Sequence, residues 1–273
     1  MIIDDVHRMA FIHIPKCAGT SVRKQLAPVD STGGAFYPVM DHPALGRIHL
    51  SHIPLAFLRE HYPAEFDKVS AYQAFALIRE PMARFASAAF QHLKGFRRLP
   101  PGEITPIMAV QEGLRVMEWL EGREAFCDFE YIHFARQRDY VRLGGTQVVG
   151  NLFAIEDLGG FADSVEKVCG VRLDPAHREN TNFASFSPLT RGVRRVLRPI
   201  YRKLTRWEDR QKLLLQIKKA NAGRDEPLYA AFRGDRRIRD FVRRYYAEDE
   251  DIYARLRRGK DAAALPALAM AAS

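Results

Sequence analysis

Lys16, Gly19, Thr20 and Ser21 stand within the string FIHIPKCAGTSVR over residues 11–23, and their types suit the holding of a phosphate-like anion. An apolar run, Met9 to Ile14, ends at Pro15 and passes into the small-residue turn Lys16-Cys17-Ala18-Gly19-Thr20-Ser21. Val22 and Leu26 then recur at helical spacing, so a helix starts in the turn, with Thr20 or Ser21 as its expected cap. The first N–H groups of a helix lack intrahelical partners, and its dipole is positive at that end. Gly19 lets the backbone come close to an anion, the two hydroxyls add donors and Lys16 adds a full charge.

This is not the G-x-x-x-x-G-K-[ST] loop of nucleoside-triphosphate enzymes, because the lysine comes first and only one glycine is present. An ATP-dependent kinase of a small metabolite is therefore disfavoured. The order Lys-x-x-Gly-Thr-Ser resembles the 5′-phosphosulfate loop of sulfotransferases that use 3′-phosphoadenosine 5′-phosphosulfate (PAPS), and HIPKCAGTS is similar to their carbohydrate, heparan 2-O-sulfotransferase-like branch. The resemblance implies a second motif: an arginine at a strand end, a proline, and a serine eight residues after the arginine. Arg79-Glu80-Pro81 through Ser87 meets it, with Glu80 where the family usually has Asp. In the family this arginine and serine hold the cofactor's 3′-phosphate, which suits a forked guanidinium. Arg84 is read as a structural residue.

Further stretches resemble the family less specifically: His133, Phe134, Gln137 and Tyr140 in HFARQRDYV; Glu156 in FAIEDL; Asn180 or Asn182 in ENTNFAS; and Tyr245 or Tyr246, Asp249 or Asp251, and Tyr253 near the end. The likeness spans most of residues 9–256. It implies a P-loop-like α/β fold, PAPS as donor, 3′-phosphoadenosine 5′-phosphate (PAP) as product, and a carbohydrate or glycoconjugate acceptor. The cofactor-binding set is Lys16, Cys17, Ala18, Gly19, Thr20, Ser21, Arg79 and Ser87. Lys16 is expected to stabilise charge on the leaving phosphate. IHLSHIPLAF resembles the branch's G-H-[IVF]-P-Y stretch, which places His52 as general base, with Ser51 for the usual glycine and His49 as the second candidate. His13 is read as a packed core residue and Cys17 as a small space-filler. In-line sulfuryl transfer needs no metal in principle, and no residues stand at metal-ligand spacing.

The elements that must position these residues alternate. Strands are expected at 9–14, 46–50, 72–78 and 147–155, and helices from Pro54 to Leu58, from Met82 to Leu93, and over 107–120, 134–141 and 161–169. That order implies a central parallel sheet flanked by helices. The pattern covers one domain, 1–273, with 99–106 a proline-rich loop and 262–273 a frayed, alanine-rich tail.

Residues 191–220 differ in texture. Val193, Val196, Leu197, Ile200, Leu204 and Trp207 form an apolar stripe bordered by arginines and Lys203. It reads as a solvated cationic face over a core stripe. A lipid-contacting helix over 191–210, a glycan contact and a dimer surface are the alternatives. The net charge of +9 over 273 residues favours anionic partners. A nucleic-acid module is the rival that charge suggests, and no recognition motif supports it. Three scattered cysteines point to a reducing compartment, and neither a leader nor a membrane-length apolar run is evident, so a cytoplasmic, bacterial enzyme is expected.

Overall fold

The computed structural model describes residues 1–175 and 226–270. Asn180, Asn182 and the basic stretch 191–220 lie outside the described residues, as do 271–273.

A four-stranded sheet runs in the order β1 (Ile2–Asp4), β2 (Met9–Ile12), β5 (Gln73–Ile78), β8 (Asn151–Ala154). β2, β5 and β8 are parallel, with Phe11 opposite Phe75 and Ala76 opposite Leu152. β1 pairs antiparallel to β2 at the edge, a strand that the acid-bearing start of the chain did not suggest. The central strands MAFI and, after the exposed Gln73, AFALI read as continuous apolar runs because both sheet faces are covered. The sheet is thus mixed α/β and mostly parallel, as the alternating pattern implied.

Helices follow the strands. α1 (Gly19–Leu26) buries Val22 and Leu26, α4 (Pro81–Gly95) follows β5, and α7 (Leu158–Cys169) follows β8. α4 is buried along nearly its whole length, through Met82, Phe85, Ala86, Ala88, Ala89, Phe90 and Leu93. It packs on α5 (Pro106–Leu120), α8 (Glu226–Gly234) and α9 (Arg236–Tyr245) in a second apolar cluster beside the sheet's own. α10 (Ala247–Met270) returns to β8 and α6 (Arg138–Val141).

Several expectations shift. Residues 46–50 do not join the sheet. β4 (Gly46–His49) pairs antiparallel with β3 (Val39–His42) as a separate hairpin. Pro54 caps α2 (Leu55–His61), which is followed by an unexpected α3 (Pro63–Ala71). The helix expected at 134–141 is only a 3₁₀ turn, Ile132–Phe134, and then α6, because Ala135 is extended (ψ 144°). Residues 147–155 split: β7 (Thr146–Gln147) turns back on β6 (Arg142–Leu143), and only 151–154 enter the sheet.

Candidate functional site

β2 and β5 are adjacent and parallel, so their C-terminal ends deliver Lys16 and Arg79 to one edge of the sheet. The turn after β2 is backbone-strained: Lys16 (φ 66°) and Ala18 (φ 61°) are both left-handed. Each costs a non-glycine residue about 1–3 kcal/mol. Ala18, not Thr20 or Ser21, is the N-cap of α1, and those two residues lie inside the first turn. The sequence predicted a side-chain cap where the backbone instead makes a left-handed to right-handed junction. Successive N–H groups across such a junction form a concave anion nest, continued into the first helical turn, where the Ser21 N–H donates to the Ala18 carbonyl at 3.2 Å.

Arg79 donates from Nη1 to the Lys16 carbonyl at 3.2 Å, which puts the two cationic turns in contact. Its Nη2 donates to the Tyr229 hydroxyl at 2.8 Å. Both partners are neutral. Neither Lys16 nor Arg79 is paired with a carboxylate among the described residues. Burial, then the charges of Arg79 and Lys94, push the Lys16 ammonium down to about 8. Cations crowded together without a counter-ion suit a polyanion that neutralises them.

Gln137 fixes this arrangement. Its Oε1 accepts from the Arg79 N–H (2.9 Å) and the Cys17 thiol (3.2 Å), while its Nε2 donates to the Arg79 carbonyl (2.8 Å). Its own N–H and that of Arg138 donate to the buried Asp249 carboxylate, both at 2.8 Å. Cys17 is therefore a hydrogen-bonded tie as well as a filler. Burial pushes its thiol up to about 11, which removes it as a nucleophile. Arg84 is wholly interior and donates to the carbonyls of His133 (3.1 Å) and Ala135 (2.7 Å). Glu80 caps α4, accepting from the N–H groups of Met82 and Ala83 (3.2 and 2.6 Å). Ser87 lies about two turns into α4 and is buried rather than exposed on a helix face.

The histidines gather beside the first turn. The His52 ring lies 4.5 Å from that of His13, 4.7 Å from His49 and 5.4 Å from His133, between ring centres. His52 Nδ1 is 3.0 Å from the His13 carbonyl, and Tyr140 donates to the His52 carbonyl at 3.2 Å. A carbonyl can only accept, so Nδ1 carries the proton and Nε2 keeps its lone pair. Burial, then the neighbouring His13, His133 and His49, hold the His52 imidazole well below its ordinary pKa. Burial likewise holds His49 at about 4. His13 is interior but not merely core: its ring packs on Gly19 and its Nδ1 is buried without a hydrogen-bond partner among the described residues.

Sequence reasoning missed Tyr229, for which it held no signal, and the contact of His52 with His13 and His133, which come from separate segments.

No curated protein and no solved structure gives a significant match. The model of the sulfotransferase family matches residues 1–141, just over half of the 273. Its span takes in both cationic turns, the histidine cluster and Gln137, and the chain belongs to the sulfotransferase family.

Proposed function

We propose that this protein transfers a sulfuryl group from PAPS to an acceptor hydroxyl, with a carbohydrate or glycoconjugate as the acceptor class, on a P-loop-like fold. The observation that carries this reading is the 3.2 Å bond from Arg79 to the Lys16 carbonyl. One anion nest and two cations, neither paired with a carboxylate among the described residues, are then within reach of a single ligand charged at both ends. PAPS, when bound, supplies the sulfuryl group and departs as PAP.

The chain's own groups divide the work. Lys16, with the amides of Ala18, Gly19 and Thr20, takes the 5′ end, where negative charge grows on the leaving oxygen. Cys17 and Ser21 complete that turn. Arg79 takes the 3′-phosphate, giving up the Tyr229 hydroxyl or using its remaining N–H donors, with Ser87 as the family's second contact. His52 accepts the acceptor's proton at Nε2, and the His13 carbonyl fixes the tautomer that permits this. His49 is the alternative base. Its ring touches that of His52, and it is half-buried.

Titration calorimetry with PAP, against ATP as control, tests the donor. Micromolar binding of PAP with ATP at least tenfold weaker supports the proposal. Equal affinities, or magnesium-dependent preference for ATP, would return the kinase reading.

A further inference from the structure

A second opening lies on the histidine side. It is an open depression of about 640 Å³, and its walls carry Phe57, Phe96, Trp119 and Phe129. Two arginines, Arg47 and Arg123, stand at it and are exposed. Arg47 lies 4.9 Å over the Phe129 ring and Arg123 lies 4.3 Å over Trp119. Neither is paired with a carboxylate among the described residues, whereas both nearby acids are engaged. Asp128 accepts from the N–H groups of Glu130 and Tyr131 at 2.9 Å, and Glu130 lies 3.7 Å from Arg97. Arg123 Nε donates to the Trp119 carbonyl at 2.6 Å, so the cleft offers half-buried ring surface, the Arg47 guanidinium and the terminal nitrogens of Arg123.

Its position ties it to the histidines. Arg47 and His49 are two residues apart on β4, with buried Ile48 between them, so they share the face opposite Ile48. That spacing is about 7 Å along the strand. Phe57 belongs to α2, which starts just after His52. Cys127, in the cleft wall, packs against the sheet's apolar cluster, which includes Tyr140, and Tyr140 holds the His52 carbonyl.

We infer that this cleft holds the non-reacting part of the acceptor, and that the acceptor is an amphipathic anion: an apolar or aryl group next to a carboxylate, rather than a neutral sugar. The inference rests on the sulfuryl-transfer reading for the word acceptor, but the binding site itself does not. The rings receive the apolar group, and the two guanidinium groups grip the carboxylate. The reacting hydroxyl then extends along β4 toward His49 and His52.

The test uses the full chain and two probes, para-nitrophenyl β-glucuronide and its uncharged relative para-nitrophenyl β-glucoside. The nitrophenyl group quenches tryptophan, and Trp119→Phe identifies the cleft's share of the signal. Saturable quenching by the glucuronide is expected, with the glucoside about tenfold weaker, one charge-assisted contact's worth. Arg47→Gln with Arg123→Gln should abolish that difference while PAP affinity stays unchanged. Phe129→Leu should weaken both glycosides together. Equal binding of the two glycosides, or undiminished glucuronide binding by the double variant with its fold intact by circular dichroism, overturns the inference. PAP binding without glycoside binding defeats the cleft alone. Glycoside binding without PAP binding defeats the donor reading and leaves the cleft.

Discussion

The His13 ring occupies the space that a side chain at Gly19 would need: a Cβ there would meet the ring at 1.9 Å. Gly19 is thus required by close approach and not by its φ, and the contact joins the anion turn to the residue whose carbonyl orients His52.

Gly19→Ala should therefore cost more in turnover than in stability. The ring must move, and His52 moves with it. We expect kcat to fall at least tenfold with a melting-temperature loss of a few degrees. Adding His13→Ala should recover most of the lost stability and little of the activity. A double-mutant cycle on both quantities checks this, and additive stability losses would refute the clash.

Lys16→Ala should lower kcat by about 10²–10³-fold, the scale of one preorganised charge-stabilising donor. Its ionisation gives an independent readout. The free ammonium is held at about 8, against 10.5 ordinarily, and a bound anion raises it again. PAP binding at pH 8–9 should therefore take up a proton in the wild type and not in Lys16→Met. Calorimetry in buffers of differing ionisation enthalpy measures the uptake.

His52→Asn should reduce kcat by about 10²–10⁴-fold, as for loss of a general base. Since burial holds this imidazole well below 6.5, it stays unprotonated through neutral pH. The acid limb of kcat/KM should then lie below pH 6.5. An acid limb at 6.5 or above would point to an exposed histidine instead.

Gln137→Ala leaves the Arg79 N–H, the Arg79 carbonyl and the Cys17 thiol without their shared partner. Lost and unsatisfied hydrogen bonds of this kind cost about 1–3 kcal/mol. PAP affinity should fall along with stability, because the two turns lose their common tie. Denaturant unfolding and PAP titration together measure it.

Glu112 tests the ion-pair network of His92 and Arg97. Burial raises its carboxyl, but the 2.7 Å bond from His92 and the Arg97 guanidinium outweigh that and hold it at about 2. A carboxyl depressed in the folded state stabilises above its ordinary pKa of 4.5 and loses that contribution as pH falls toward about 2. Glu112→Gln should cost about 1–3 kcal/mol at neutral pH and flatten acid unfolding between pH 4.5 and 2.

The sheet and its major helices were legible because their signals are local. The buried runs at 9–12 and 74–78, and the spacing of Met82, Phe85, Ala89 and Leu93, fix the element type without knowledge of the partner. Lys16 and Arg79 were legible because each follows a strand, Arg79 at once and Lys16 after three residues. The split of 134–141 was not, since the chain leaves the helix at Ala135 and the new start at Gln137 and Arg138 is capped by Asp249, 112 residues away from Gln137. The separate hairpin was equally hidden: β4 reads as a strand, and nothing in Gly46–His49 says which strand it will pair with. Tyr229 meets Arg79 from 150 residues away, a relation no spacing encodes.

The hairpin of β3 and β4 shares no ladder with the four-stranded sheet. Its four paired positions close on themselves, so its outer face can be rewritten without disturbing how the sheet's strand ends meet. On the proposed function, that makes the molecule divisible for an engineer. Choice of substrate can be re-drafted at residues 39–47 while the donor grip is inherited unchanged, a partition that a hairpin woven into the sheet would have denied.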